Sequence, residues 1–265
     1  MNYLSKEEIA KLAPAVVETT HADYLTEKYV HVPTMELIDD MANLGWQVVD
    51  AKQVRARKKS KNGLKEEHRK HLVTFRNENI VIKAEDGETV YPQILLTNSH
   101  DGGSSFQFRA GLFRLVCTNG LVIATKEFGA MNIRHKGYSV EELKKTVMAL
   151  VEQLPVTVET LNKFREVILT EEQKMELALQ AIGIRFGEEG GSVIQAEEVL
   201  KPIRKEDEGN DLWSVFNVIQ EKMTRGGFTY KTAKGRNRTA RSIKNFNRDV
   251  ALNEQLYALA ESFVG

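Results

Sequence analysis

Pro92-Gln-Ile-Leu-Leu-Thr-Asn98 running into Ser99-His-Asp-Gly-Gly103 reads as a strand that ends in a tight turn. An Asp side chain can bond its own backbone two residues on, and glycine reaches positive φ without a Cβ penalty. Beyond the turn, Ser105 to Val116 is strand-like again, so the two segments are expected to pair antiparallel. Asn119-Gly120 is a second hairpin signal and leads into Gly120–Thr125. Upstream, Trp46–Arg57, His71–Arg76 and Ile80–Lys83 extend the pattern, with a brief strand expected at Tyr29–Pro33. Short strands in succession, without long helices between them, argue for an antiparallel sheet.

Helices flank this region. Ser5-Lys-Glu-Glu8 is a capping box that starts a helix running through Leu12. Thr34 is expected to cap a second helix, with Leu37, Ile38, Met41 and Leu44 on its apolar stripe and Gly45 at its end. After Tyr138, Val140, Leu143, Val147, Leu150, Val151 and Leu154 follow helical spacing, and Pro155 kinks or ends that helix. Further helices are expected near Glu171–Ile184, Asp211–Met223 and Asp249–Phe263, with Trp213, Phe216 and Ile219 packing into a core. The expected class is α+β: a single domain over residues 1–265, with a curved antiparallel sheet over about 29–137 and a helical half over about 138–265.

The 265 residues are 42% hydrophobic and 28% charged, the composition of a globular protein. No apolar run approaches the ~20 residues of a membrane helix, and MNYLSKEEIAKL lacks the apolar core of a signal peptide. A lone cysteine, Cys117, excludes an intramolecular disulfide and suits the reducing cytoplasm.

The net charge of +0 hides segregation. From Lys222 to Arg248 there is no Asp or Glu, while Arg225, Lys231, Lys234, Arg236, Arg238, Arg241, Lys244 and Arg248 share the segment with Phe228, Tyr230 and Phe246. A second cluster holds Lys52, Arg55, Arg57, Lys58, Lys59, Lys61 and Lys65, with Arg55 and Arg57 on one face of their strand. Cations that neutralise phosphates, beside aromatics that stack bases, are what a single-strand site needs. The plain alternative is a solvated loop and a lysine-rich sheet edge that blocks aggregation. Acid lies apart, in Glu171-Glu172, Glu188-Glu189, Glu197-Glu198 and Glu206-Asp207-Glu208, a polarity that suits a polyanion or the meeting of neighbouring subunits.

Thr97-Asn-Ser-His-Asp-Gly-Gly-Ser104, Gly111-Leu-Phe-Arg-Leu-Val-Cys-Thr-Asn-Gly120 and Ile133-Arg-His-Lys-Gly137 form a distinctive set. It resembles the phage/plasmid-like protein family, a domain of unknown function common on mobile genetic elements. The resemblance extends to Val32-Pro-Thr34, Gly45-Trp46, Asp211–Glu221 and Arg225-Gly-Gly227. It implies a mobile-element setting and brings no activity and no catalytic residue.

Read physically, Asn98, Ser99, His100, Asp101 and Gly102 build a turn, and Gly111 marks a bulge or a close backbone approach. Arg114, Cys117, Asn119, Gly120, Arg134 and His135 complete the motif, in a structural or a functional role. An enzymatic reading has Ser99, His100, Asp101, Cys117 and His135 converge as a catalytic or metal site. Against it, there is no H-x-x-x-H or C-x-x-C spacing and no G-x-S-x-G elbow. Cys117 sits in an apolar run, and structural histidines are the commoner case. Gly187-Glu-Glu-Gly190 would offer acid where a phosphate needs donors, and no Walker lysine follows, so ATP dependence is not expected; no other cofactor and no metal is expected either.

The leading expectation is a protein that binds nucleic acid, single-stranded DNA above all, with strand annealing and homo-oligomers suggested by analogy with phage recombinases of similar architecture. The alternatives are a protein-interaction or anti-defence factor, and a hydrolase or nuclease using His100, Asp101 and His135.

Overall fold

The computed structural model describes residues 3–26, 29, 31–54, 65–83, 89–103, 106–114, 120–122, 131–133, 139–152, 154–191, 193–232 and 234–264. Helix α1 (Lys6–Leu12) starts on the expected capping box: Ser5 Oγ accepts from the Glu8 amide at 3.2 Å, and the Ser5 amide donates to Glu8 Oε2 at 2.8 Å. Helix α2 (Thr34–Asn43) ends where Gly45 takes φ 84° and turns the chain back. Strands β1 (Gln47–Gln53), β2 (His71–Arg76), β3 (Ile82–Lys83), β4 (Thr89–Asn98) and β5 (Phe106–Arg114) follow, then β6 (Gly120–Val122) and β7 (Met131–Ile133). The order β1-β2-β4-β5 is antiparallel throughout, with β3 also paired to β4 and β7 to β5.

Two details of the sheet follow from covalent chemistry. Pro92 has no N–H to give a ladder. It lies where the partner of β4 changes: β2 pairs only as far as Gln93, and β3 begins at Val90. In β1 a bulge between Val48 and Asp50 shifts the alternation. Val48 and Ala51, an odd number of residues apart, can therefore both be buried. At Gly111, by contrast, the β4–β5 register runs unbroken from Val90↔Arg114 to Thr97↔Gln107, so the expected bulge is absent there. The brief strand expected at Tyr29–Pro33 is also absent, since none of the described residues in that stretch is in a strand.

Helix α3 (Val140–Glu152) is followed by α4 (Leu154–Glu166), α5 (Glu171–Gly191), α6 (Ala196–Leu200), α7 (Leu212–Arg225), β8 (Thr229–Lys231), β9 (Asn237–Thr239) and α8 (Phe246–Glu261). Pro155 sits in the first turn of α4, where its missing N–H is harmless. Gly187, at φ 75° and ψ −177°, breaks α5 internally. The class is thus α+β, a sheet-rich N-terminal and central part with a helical C-terminal half. The chain divides into two compact units, the first holding α1–α3, β1–β5 and β7, the second α4–α8, β8 and β9.

The core of the first unit joins the inward positions Val48, Val73, Phe75, Ile94, Leu96 and Phe108 of the sheet to Leu37 and Met41 of α2 and Leu143, Val147 and Leu150 of α3. The core of the second unit is aromatic at its centre. The Phe164 and Tyr257 ring centroids are 5.5 Å apart, and Phe216 lies 6.2 Å from both Phe164 and Trp213. Trp213, Phe216 and Ile219 are buried, as their spacing requires. No helix among the described residues is long and apolar enough to cross a membrane.

Candidate functional site

The acid-free basic segment folds as a hairpin on the end of α7. Gly226 terminates the helix at φ 73°, and a Cβ built on it would lie 2.3 Å from the Ala240 carbonyl oxygen, so only glycine permits this approach. The Gly227 amide then donates to Ala240 O, and the Ala240 amide to Phe228 O, each at 2.9 Å. Strands β8 and β9 pair with Tyr230 opposite Arg238. The tip is closed by Thr232, whose amide donates to Arg236 O at 2.9 Å and whose hydroxyl accepts from the Arg236 amide at 3.2 Å. Lys231, Lys234, Arg236 and Arg238 on the hairpin are exposed, as are Arg225, Arg241, Lys244 and Arg248 beside it. Arg225 shares Glu221 with Arg204, its guanidinium 3.9 Å from the carboxylate, so its charge is partly offset.

Two aromatic residues of this segment have different fates. Phe228 is 4% exposed and packs on Phe186 at 6.2 Å, which makes it a core residue and removes it as a base platform. Tyr230 is half-buried, backed by Phe186 at 5.9 Å and Phe228 at 6.3 Å, with part of its ring open. The side chain of Phe246 lies outside the described residues. Arg185 of α5 braces the hairpin. Its guanidinium donates to the carbonyls of Lys222 (2.9 Å), Met223 and Arg241, and its carbon lies 4.8 Å from the centre of the Phe186 ring.

The first unit holds a second constellation. His21, His31, His68, His71 and His100, five of the six histidines, gather in it. His31 lies 4.6 Å from His100, His100 lies 5.1 Å from His71, and His21 lies 6.1 Å from His31, centroid to centroid. His71 is fully buried, and its Nδ1 meets the Arg69 carbonyl at 2.9 Å. A carbonyl can only accept, so Nδ1 carries the proton and Nε2 accepts from the Thr34 hydroxyl at 2.8 Å. Thr34 Oγ1 in turn accepts from Asn98 Nδ2 at 2.9 Å. This donor order suits a neutral imidazole, and burial pushes the His71 pKa down to about 4. Thr34 is thus the first residue of α2 and not its cap, its hydroxyl being committed to His71.

The central motif is part of this architecture. His100, also fully buried, meets the Ala15 carbonyl through Nε2 at 2.9 Å, and its backbone bonds to His68 and Ala22. Asp101 Oδ1 accepts from the Gly103 amide at 2.8 Å, and Gly102 takes φ 71°, the turn expected between β4 and β5. Ser99 is buried, and its carbonyl accepts from Tyr29 Oη at 3.3 Å. Burial, with the Asp101 charge nearby, raises the Tyr29 phenol to about 12.

Gly111 and Arg114 lie in β5 and Gly120 in β6, as strand backbone. Arg55, Arg57, Lys58, Lys59, Lys61, Cys117, Asn119, Arg134 and His135 lie outside the described residues. Among the described residues, no group of three His, Cys, Asp or Glu could hold a metal ion. The sequence reading missed His31 as a neighbour of His100 and Thr34 as a partner of His71. The one local signal is the pair His68 and His71, three residues apart at the start of β2.

A family model, Domain of unknown function (DUF932), matches residues 23–257. Two Escherichia coli (strain K12) proteins, UPF0380 protein YafZ and UPF0380 protein YfjQ, are each 33% identical over 261 residues, covering 98% of this chain and 92% of the relative. No solved structure matches. The family match takes in the buried motif of the first unit and the basic hairpin of the second, and the chain belongs to the DUF932 family.

Proposed function

We propose that the chain binds single-stranded nucleic acid, DNA above all, through the β8–β9 hairpin. The observation that carries this reading is the run of exposed cations Lys231, Lys234, Arg236, Arg238 and Arg241, free of acid in sequence and arranged around a half-open Tyr230. A solvated loop would not need an aromatic braced from behind by Phe186, and a braced ring loses little entropy when a base stacks on it. The fuller form of the reading is a mobile-element factor that works in the cytoplasm as a homo-oligomer and anneals strands. Arg55, Arg57, Lys58, Lys59 and Lys61 are the further residues proposed to contact phosphates.

Tyr230→Ala is expected to weaken binding of a labelled single-stranded oligonucleotide by ~1–3 kcal/mol, with the salt slope unchanged, because a stacked base is lost and no phosphate contact is. Lys234→Ala is expected to do the reverse, reducing the log–log salt slope by about 0.7 with a smaller, sequence-independent loss. Fluorescence anisotropy across a salt series reads both quantities, and thermal melting verifies the fold of each variant. Wild-type affinity that stays flat across the salt series would sink the reading.

A further inference from the structure

We propose that a cleft beside Tyr230 seats one nucleobase and selects bases bearing an exocyclic amine on the Watson–Crick edge over thymine and uracil. This rests on the nucleic-acid reading above and names what its aromatic site recognises.

The cleft has a volume of about 360 Å³ and lies between α6 and the hairpin, its lining including Tyr230, Glu198, Gln195, Asn237 and Lys231. The Tyr230 ring cannot recede, because Phe186 and Phe228 fill the space behind it. Lys231 is exposed at the rim, where a backbone phosphate would pass. Glu198 is half-buried, and its ion pair is with Lys201 three residues on along the same surface. Exposed pairs of this kind contribute little, so the carboxylate keeps its capacity to accept from a ligand.

A carboxylate has only acceptors, and on an open Watson–Crick edge it matches the N4 amine of cytosine and the N1–H and N2 amine of guanine, while Asn and Gln amides match adenine N6 and N7. Thymine and uracil present a carbonyl oxygen where cytosine has the amine. Their single N3–H donor lies between two carbonyl oxygens that the Glu198 carboxylate repels, which makes the selection act by exclusion as well as by attraction.

The experiment uses the full chain and labelled homopolymers of deoxycytidine, deoxyadenosine and thymidine of equal length, read by anisotropy at low salt. Free cytidine and uridine monophosphates are added as competitors. The cytosine polymer is expected to bind roughly tenfold more tightly than the thymine polymer, and cytidine monophosphate to compete better than uridine monophosphate. Glu198→Gln offers a donor to thymine and should bring the ratio near one while leaving the salt slope alone. Asn237→Ala, at an exposed strand position, should reduce the adenine polymer's advantage over thymine. Equal wild-type affinity for cytosine and thymine polymers, with salt-dependent binding intact, would overturn the base seat and leave the binding reading standing. So would a ratio that survives in folded Glu198→Gln. Absence of binding to every polymer at low salt would overturn both.

Discussion

Arg185→Met is expected to cost the second unit about 4 kcal/mol and to release the basic hairpin from α7. The last carbonyls of a helix have no partner within it. In α7, the Met223 carbonyl is taken by the Arg185 guanidinium, which also reaches the Lys222 carbonyl, already capped by the Gly226 amide, and the Arg241 carbonyl beyond β9. One side chain of α5 therefore links a helix end to the far side of the hairpin. Arg185 is only 9% exposed, and its pKa falls to about 10, through burial first and the nearby Arg248 second. A cation stripped of water is tolerated there because carbonyls and the face of Phe186 surround it.

Met fills similar volume but donates nothing. Hydrogen bonds from a charged group contribute ~1.5–3 kcal/mol each, and carbonyls that regain water recover part of the loss. Arg185→Lys should rescue little, because an ammonium does not reach several carbonyls in one plane as the guanidinium fork does. Urea denaturation measures the stability, and anisotropy with a single-stranded oligonucleotide measures the hairpin. A loss below about 1 kcal/mol in Arg185→Met would show that the hairpin is held by other contacts.

Acid is expected to destabilise the first unit through His71. Its folded pKa, about 4, lies below the ordinary 6.5, so between these values the unfolded chain binds a proton that the folded chain refuses. The stabilisation from neutral His71 is complete above pH 6.5 and is lost as pH falls towards 4, a span that corresponds to about 3 kcal/mol. The geometric reason is the fixed order of donors. A protonated Nε2 would point a hydrogen at the Thr34 hydroxyl, which already accepts from Asn98 and would have to turn its own hydrogen away. The Arg69 carbonyl and the Asp101 charge compensate only in part, burial being the larger effect.

Urea midpoints at pH 7 and pH 5 should show the wild type losing about 2 kcal/mol from this group. His71→Gln should be less stable at pH 7 and should lack this part of the pH slope. Equal slopes in the two proteins would place the acid sensitivity elsewhere.

These expectations draw on the sequence unequally. His71–Arg76 was legible to the residue, because β-branched and aromatic side chains between polar flanks suit a pleated buried surface. The Asp101-Gly-Gly103 turn was legible because its chemistry is local. Helix α4 was hidden by Pro155, which reads as a stop in the middle of a helix and is harmless in a first turn. The β8–β9 hairpin was hidden by its composition. Three-residue strands of Thr-Tyr-Lys and Asn-Arg-Thr have no apolar alternation, and they pair because Gly226 and Arg185 hold their ends.

The sequence by itself determined the class of fold, the turn after β4, the apolar stripes of the helices and the segregation of charge. Each depends on neighbours within a few positions, where periodicity and backbone chemistry act directly. Only the tertiary structure decided which polar side chains meet. Thr34 reads as a cap and is spent on His71, 37 residues away, and Ala15 receives His100 from 85 residues away. Phe228 and Tyr230 read as a matched pair, yet one is core and the other half-open, because Phe186 of α5 sits behind both. Partnership across such distances depends on how sheets and helices stack, and no local pattern encodes it.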